Sequence, residues 1–187
     1  MNALPALWLP ILATAVLVFV ASSLIHMVFK WHNSDYRKLA NEDEVRAALR
    51  VGSPPPGQYA IPHCTDMKEL QGEVLRNKFR EGPVGLITIK ASGEPKMGGA
   101  LGSWFLFNLV VATAAAAVAL KVFGMQDGSH RVAQLVGVLS FATYAGGSIQ
   151  NAIWMGKPWG SAAKDVLDAL IYGGVSLMVF RWLWPGA

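Results

Sequence analysis

The chain has 187 residues, of which 53% are hydrophobic and 15% are charged, whereas about 25% of the residues of a typical soluble domain carry a charge. No Lys, Arg, Asp or Glu precedes Lys30, and most of the charge lies between Lys30 and Lys96. Whole segments therefore lack the wet face that each element of a soluble domain keeps. This distribution excludes an ordinary soluble protein and indicates an integral membrane protein.

The net charge of +4 does not indicate nucleic-acid binding, because basic and acidic residues alternate along the charged segment instead of clustering. The single cysteine, Cys64, excludes an internal disulfide and a Cys-x-x-Cys pair for zinc or redox chemistry. We therefore expect no nucleic-acid partner and no cysteine-based centre.

The first apolar run covers residues 3–29 and ends at Lys30. It is longer than the apolar core of a signal peptide, which has about 7–15 residues, and it exceeds the roughly 20 residues that a helix needs to cross a bilayer. We predict a retained transmembrane helix over residues 1–29.

A polar segment follows, over residues 30–100. Asn41 and the acids after it are typical of a helix start, and a second short helix is predicted at 66–80 with Thr65 as its cap. The β-branched run at 84–90 lies between glycine-containing breakers and predicts a strand. So few apolar residues make a marginal independent fold, which we expect to depend on the membrane or on a partner.

Three more spans are predicted at 101–123, 132–154 and 166–184. The short connections between them make antiparallel neighbours, so residues 101–184 are expected to form a three-helix hairpin stack. The predicted fold class is an all-α integral membrane protein with four transmembrane helices and a small mixed cytoplasmic segment between helices 1 and 2.

Cations near the spans predict the orientation. Thirteen Lys and Arg residues fall on the side of residues 30–100, and three fall on the other. This asymmetry predicts that both termini lie outside and that residues 30–100 are cytoplasmic. The tryptophans lie at or near span ends, where the indole ring prefers the headgroup level. These predicted anchors are Trp8, Trp31, Trp104, Trp154, Trp159, Trp182 and Trp184.

Small residues four positions apart predict close packing between helices in lipid. The first span is rich in Leu, Val and Phe instead, so we expect it to stand apart and to contact another protein. The predicted packing residues are Ala112 and Ala116, Ala142 and Gly146, and Ala169 and Gly173.

His26 is the strongest candidate for chemistry, since an ionisable group near the interior of a span is a functional hypothesis by default. An interhelical hydrogen bond or an interfacial position explains it most simply, and ligation of a pigment or cofactor is the speculative alternative. His32, His63 and Cys64 lack the spacing of a metal site, so no metal is expected. Asp168 at the predicted start of the fourth span is explained by first-turn stabilisation, with a transport role as the alternative.

The runs Lys157-Pro-Trp159, Lys164-Asp-Val-Leu-Asp168 and Trp182-Leu-Trp-Pro185 resemble the ends of small bacterial multi-pass membrane proteins that have no assigned activity. The run Trp31-His-Asn-Ser-Asp-Tyr36 is similar to stretches of the same proteins. The resemblance implies a bacterial origin. The expected location is therefore the inner membrane, with both termini in the periplasm.

No nucleophile–base set and no phosphate-binding loop is recognisable in the sequence. The leading hypothesis is therefore a non-catalytic accessory subunit of a larger membrane complex, respiratory or photosynthetic, without a cofactor of its own. Its expected partners are other integral membrane subunits and lipids, and no soluble small-molecule substrate is indicated. A small transporter or channel component is one alternative. A membrane enzyme that brings His26, His32 or His63 into one pocket is the other.

Overall fold

A computed structural model describes residues 4–185 of the chain. The chain forms two compact units, of which the first combines residues up to Tyr36 with those from Lys96 onward, and the second is Arg37–Pro95. The first unit contains four helices that are long and apolar enough to span a membrane. The prediction of a mostly helical protein with four such helices is confirmed.

The first of these helices covers Leu4–Phe29. It begins with a 3-10 turn at Leu4–Leu7, continues as α1 over Trp8–Ser23 and ends in a π-helical turn at Leu24–Phe29. Residues 1–3 of the predicted span lie outside the described residues. After the π turn the chain reverses at Lys30 and forms a second 3-10 turn at Trp31–Asp35.

The other three long helices are α5 (Met97–Phe123), α6 (Ser129–Trp154) and α7 (Trp159–Leu183). All three begin earlier than predicted: α5 by four residues, α6 by three and α7 by seven. Because α7 begins at Trp159, Asp165 and Asp168 both lie beyond its first turn. First-turn stabilisation therefore does not explain these carboxylates.

The four long helices form a ring in which α1 packs between α5 and α7, and α6 packs between the same two helices. Leu7 of the preceding 3-10 turn and Ala15 and Val18 of α1 are completely buried in this ring. The prediction that the first helix stands apart is therefore wrong. Leu7, Ile11 and Val18 are buried in the bundle, although most other Leu and Val side chains of this helix are exposed, and the small-residue criterion could not reveal this packing.

At one end the ring is tightly packed. Leu7, Ala116, Val136, Phe180 and Trp184 belong to a single buried cluster there, to which all four long helices contribute. Polar side chains lie instead at the opposite end of the ring, where the first long helix ends and α5 and α7 begin.

The contact between α6 and α7 is closest at two glycines. A Cβ on Gly137 would lie 2.9 Å from the Cβ of Leu177, and one on Gly173 would lie 2.9 Å from the carbonyl oxygen of Gly137. Gly173 was among the predicted packing residues. Ala142 and Gly146 were also predicted for helix packing, but both are exposed, because the buried side of α6 runs through Gly137 instead.

The other predicted packing residues, Ala112, Ala116 and Ala169, are buried in the bundle.

The predicted tryptophan anchors divide into three groups. Trp184 is buried in the closed end of the ring, so it is not free to reach a headgroup region. Trp31 and Trp104 are partly buried at the open end. The remaining four, which are exposed, are Trp8, Trp154, Trp159 and Trp182.

The second unit consists of three short helices and a two-stranded antiparallel sheet. The helices are α2 (Glu42–Gly52), α3 (Met67–Gln71) and α4 (Glu73–Glu81), and the strands are β1 (Gly57–Ile61) and β2 (Gly85–Ile89), which are connected through α3 and α4. Gly57 pairs with Ile89 at one end of the sheet and Ile61 with Gly85 at the other.

Two details of this unit differ from the sequence prediction. The predicted helix at 66–80 is interrupted at Gly72, whose backbone is extended, and its cap is Asp66 rather than Thr65. Strand β1 was not predicted. No residue in the fully described stretch from Arg37 to Pro95 is buried, so this unit has no hydrophobic core of its own.

Candidate metal and ligand site

A pocket of about 590 Å³ opens at the loosely packed end of the ring, and its volume is typical of small-molecule sites. All four long helices contribute to it. Its polar side is formed by His26, Ser148, Asp165 and Asp168, and its aromatic side by Trp104, Phe107, Tyr144 and Tyr172.

Two histidines meet at the edge of this pocket because of an irregular chain reversal. His26 lies in the π turn, and Lys30 closes this turn by donating its amide to the carbonyl of Ile25 at 2.9 Å. Lys30 has a φ of 54°, a left-handed conformation that costs a non-glycine residue about 1–2 kcal/mol. The reversal places the ring of His32 parallel to that of His26, with centroids 4.8 Å apart.

Each of these histidines has its Nδ1 held by an acceptor. The Nδ1 of His26 donates to the carbonyl oxygen of Ser22 at 2.9 Å, and the Nδ1 of His32 lies 2.8 Å from Oδ2 of Asp35. Nε2 is therefore the nitrogen that each ring has available for another partner.

Asp168 completes the cluster from α7. Its Oδ2 lies 2.9 Å from Nε2 of His32, and its Oδ1 accepts a hydrogen bond from the indole of Trp31 at 3.2 Å. One ligand atom each from His26, His32 and Asp168 lies within 4.8 Å of the other two. Asp168 is buried, whereas His26 is exposed, so the cluster is reachable from one side.

An ion pair fixes the far side of His32. The Nζ of Lys164 donates to Oδ1 of Asp35 at 2.7 Å, to the carbonyl of Trp31 at 2.8 Å and to Oγ of Ser34 at 2.7 Å. The hydrogen bond from Lys164 lowers the pKa of Asp35 to about 2. Asp35 is therefore ionised at neutral pH and keeps an acceptor oriented toward His32.

A second ion pair lies beside the cluster. Asp165 is paired with Lys157 and accepts a hydrogen bond from Ser148. The two lysines therefore neutralise Asp35 and Asp165. In the described residues, the buried carboxylate of Asp168 has no lysine or arginine partner and is bonded to Nε2 of His32 at 2.9 Å, and an ionised group at such a site requires a counter-charge.

The aromatic side of the pocket carries hydrogen-bonding groups. The indole of Trp104 donates to Oγ of Ser22 at 2.8 Å, and the hydroxyl of Tyr144 donates to Oδ1 of Asn108 at 2.9 Å. The rings of Tyr144 and Tyr172 meet edge to face, with centroids 5.2 Å apart. These bonds orient the aromatic rings around the pocket.

The sequence prediction named His26, and the structure places it with His32 and Asp168. His63 and Cys64 lie in the second unit. Asp35 and Lys164 were not singled out, although their places in Trp31–Asp35 and at the start of α7 are visible in the sequence. The missing signal was the chain reversal, since a left-handed Lys30 after a π turn has no characteristic sequence pattern.

Three protein ligands of this kind suit a divalent transition metal. Imidazole nitrogen and carboxylate oxygen are ligands of zinc and of ferrous iron. With zinc–ligand bonds of about 2.0–2.1 Å, tetrahedral ligand atoms lie roughly 3.4 Å apart. Nε2 of His32 and Oδ2 of Asp168, at 2.9 Å, would therefore move slightly apart, whereas ligand atoms that lie up to 4.8 Å apart would need to approach by at most about 1.4 Å. The exposed ring of His26 can make such a movement.

The chain matches no protein family model, and no curated protein and no solved structure matches it. Its function is therefore argued from the geometry of the site itself.

Proposed function

We propose that this protein is a multi-pass integral membrane protein that binds a divalent transition metal ion through His26, His32 and Asp168. The observation that carries the proposal is the pair of fixed histidines. Both have Nδ1 held by an oxygen acceptor, so that Nε2 is available beside the Asp168 carboxylate.

This arrangement matches the outer shell of protein metal sites, in which a ligating histidine donates its other N–H to a carboxylate or a backbone carbonyl. Here the acceptor is Asp35 for His32 and the carbonyl of Ser22 for His26. A metal ion would take the place of the hydrogen bond between His32 and Asp168. It would also supply the positive charge that the buried Asp168 needs.

The number of ligands favours a catalytic over a structural site. Structural zinc sites use four protein ligands, whereas catalytic sites use three and leave a position for water or substrate. His26, an exposed member of the cluster, also lines the pocket, so an open position would face that space. The alternative of a membrane enzyme with a histidine site therefore gains the most support.

The accessory-subunit hypothesis loses one of its supporting arguments, the first helix that stands apart. Assembly with other membrane subunits stays a prediction. The bilayer location is supported by the four long apolar helices. The cation count supports a cytoplasmic position for residues 30–100 in a bacterial inner membrane, and this would place the site near the cytoplasmic face.

The test is zinc binding to the protein purified in mild detergent, measured by titration calorimetry and by elemental analysis. We expect one ion per chain. His26→Ala and Asp168→Asn should each weaken binding by more than about tenfold, because even outer-shell changes cost about 10- to 100-fold.

His130→Ala is the matched control, since His130 lies at the start of α6, at the closed end of the ring, and should bind zinc as wild type does. Helical content measured by circular dichroism shows whether each variant is folded. A wild-type protein that binds neither zinc nor ferrous iron, or equal zinc binding by all folded variants, would overturn the proposal.

A further inference from the structure

The pocket beside the metal cluster has an apolar mouth. Met27 at the end of the first long helix and Met97 and Leu101 at the start of α5 line it, and all three are exposed. Exposed apolar residues on bilayer-spanning helices face lipid. A molecule would therefore reach this pocket sideways from the bilayer.

The interior of the pocket does not suit an anionic headgroup. Of the pocket-lining residues in the described part of the chain, Lys157 carries the one permanent positive charge, and Asp165 already neutralises it. Asp165 and Asp168 contribute carboxylates to the same lining. Without a bound metal ion, no free ammonium or guanidinium group would attract a phosphate. The two carboxylates are also already bonded, Asp165 to Lys157 and Asp168 to His32 and Trp31, so neither is free to pair with a cationic head.

The other polar groups of the lining, apart from the imidazole of His26, carry no charge. They include the hydroxyls of Ser22, Thr143, Tyr144 and Tyr172 and the indole of Trp104. Trp104, Tyr144 and Thr143 already donate hydrogen bonds within the protein. The hydroxyl oxygens of the lining would therefore accept hydrogen bonds from a ligand hydroxyl, while the aromatic rings contact its apolar part.

We infer that this pocket binds an uncharged, long-chain amphiphile from the bilayer, with its hydroxyl or carbonyl head directed at the metal cluster and its chain leaving past Met27 and Met97. The inference that the pocket binds an amphiphile rests on the geometry of the pocket alone. The inference that the head oxygen approaches a metal ion rests on the proposed function.

Two neighbouring glycines of α6 allow a matched test. Gly147 lines the pocket and Gly146 does not, and in the described structure an added Cβ meets no atom within 4 Å at either position. Gly147→Phe should fill the pocket without touching the metal ligands. Gly146→Phe adds the same ring on the same helix, outside the pocket.

The measurement is native mass spectrometry of the purified full chain, freed of metal by a chelator, with added monooleoylglycerol, oleoyl lysophosphatidic acid or oleylamine, which carry an 18-carbon monounsaturated chain with a neutral, anionic or cationic head. We expect the wild-type protein to prefer monooleoylglycerol. Gly147→Phe should lower this binding by at least about tenfold, or about 1.4 kcal/mol, because its ring would occupy the pocket, and Gly146→Phe should leave the binding within about twofold.

Zinc binding is measured on the same samples. Zinc binding unchanged in both glycine variants, with lipid binding lost only in Gly147→Phe, supports the inference. Equal lipid binding by the two variants overturns it, and so does a preference for the anionic or cationic lipid. A protein that binds monooleoylglycerol at this pocket but no metal would overturn the proposed function and the head-to-metal contact, and would leave the pocket assignment standing.

Discussion

The orientation of the proposed metal ligands His26, His32 and Asp168 depends on residues that are not ligands themselves. Asp35 holds Nδ1 of His32 and is in turn held by Lys164, so these two side chains fix the imidazole ring. His26 has only the backbone carbonyl of Ser22 as its acceptor. The two histidines are thus held to different degrees, and His32 depends on a side chain that a single substitution can remove.

Asp35→Ala should lower zinc affinity by about 10- to 100-fold, because the loss of an outer-shell carboxylate leaves the ligating ring free to rotate and less basic. Titration calorimetry on the purified variant measures the change. Asp127→Ala is the control, since Asp127 forms its ion pair with Arg131 in the α5–α6 connection, and its zinc affinity should match that of wild type. Unchanged affinity in Asp35→Ala would contradict the orienting role of this carboxylate.

At the scale of elements, the long helices were predictable because each is an uninterrupted apolar run, which only a membrane or a large core accommodates. Their ends were less predictable. The polar residues Lys164 and Asp165 led the predicted start of α7 to be placed after them, although the helix includes both. Lys164 binds the Trp31–Asp35 turn, and Asp165 is paired with Lys157. The pairing of histidines was unpredictable because it follows from one backbone reversal at Lys30.

The packing between α6 and α7 also shows what a spacing rule leaves open. Pairs of small residues four apart occur on several sides of α6, and the rule does not say which side faces a neighbour. In the structure, the side of α6 that contains Gly137 faces α7, and the two helices are too close there for a side chain at this position. The pair Ala142 and Gly146 fits the spacing equally well and is exposed.

Gly173→Ala should destabilise the bundle by about 1–3 kcal/mol, the usual cost of overpacking, because its Cβ would lie 2.9 Å from a backbone oxygen of α6 that has no room to move. The thermal unfolding midpoint in detergent measures this loss. Gly174→Ala, one residue along α7 and with no described atom within 4 Å of its Cβ, should unfold at or slightly above the wild-type temperature. Equal midpoints for the two variants would exclude the close contact.

On the scale of the whole molecule, the bundle has two unlike ends. One end is filled by the cluster around Leu7, Phe180 and Trp184. The other end holds the pocket, the histidines and both Lys–Asp pairs. If the cation-rich side faces the cytoplasm, any ion or ligand from the aqueous phase would reach the site from the cytoplasm. The orientation of the chain therefore determines whether the proposed site would bind metal ions from the cytoplasm or from the periplasm.

The single cysteine makes this orientation measurable. Cys64 lies in the second unit and is partly exposed, so in intact bacterial cells it should react with a membrane-permeant maleimide but not with an impermeant one, if residues 30–100 are cytoplasmic. A second chain with Cys64→Ser and Asp127→Cys carries its thiol in the opposite connection, and the impermeant reagent should label it. Labelling of Cys64 by the impermeant reagent before lysis would reverse the orientation, and would place the metal site on the periplasmic face instead.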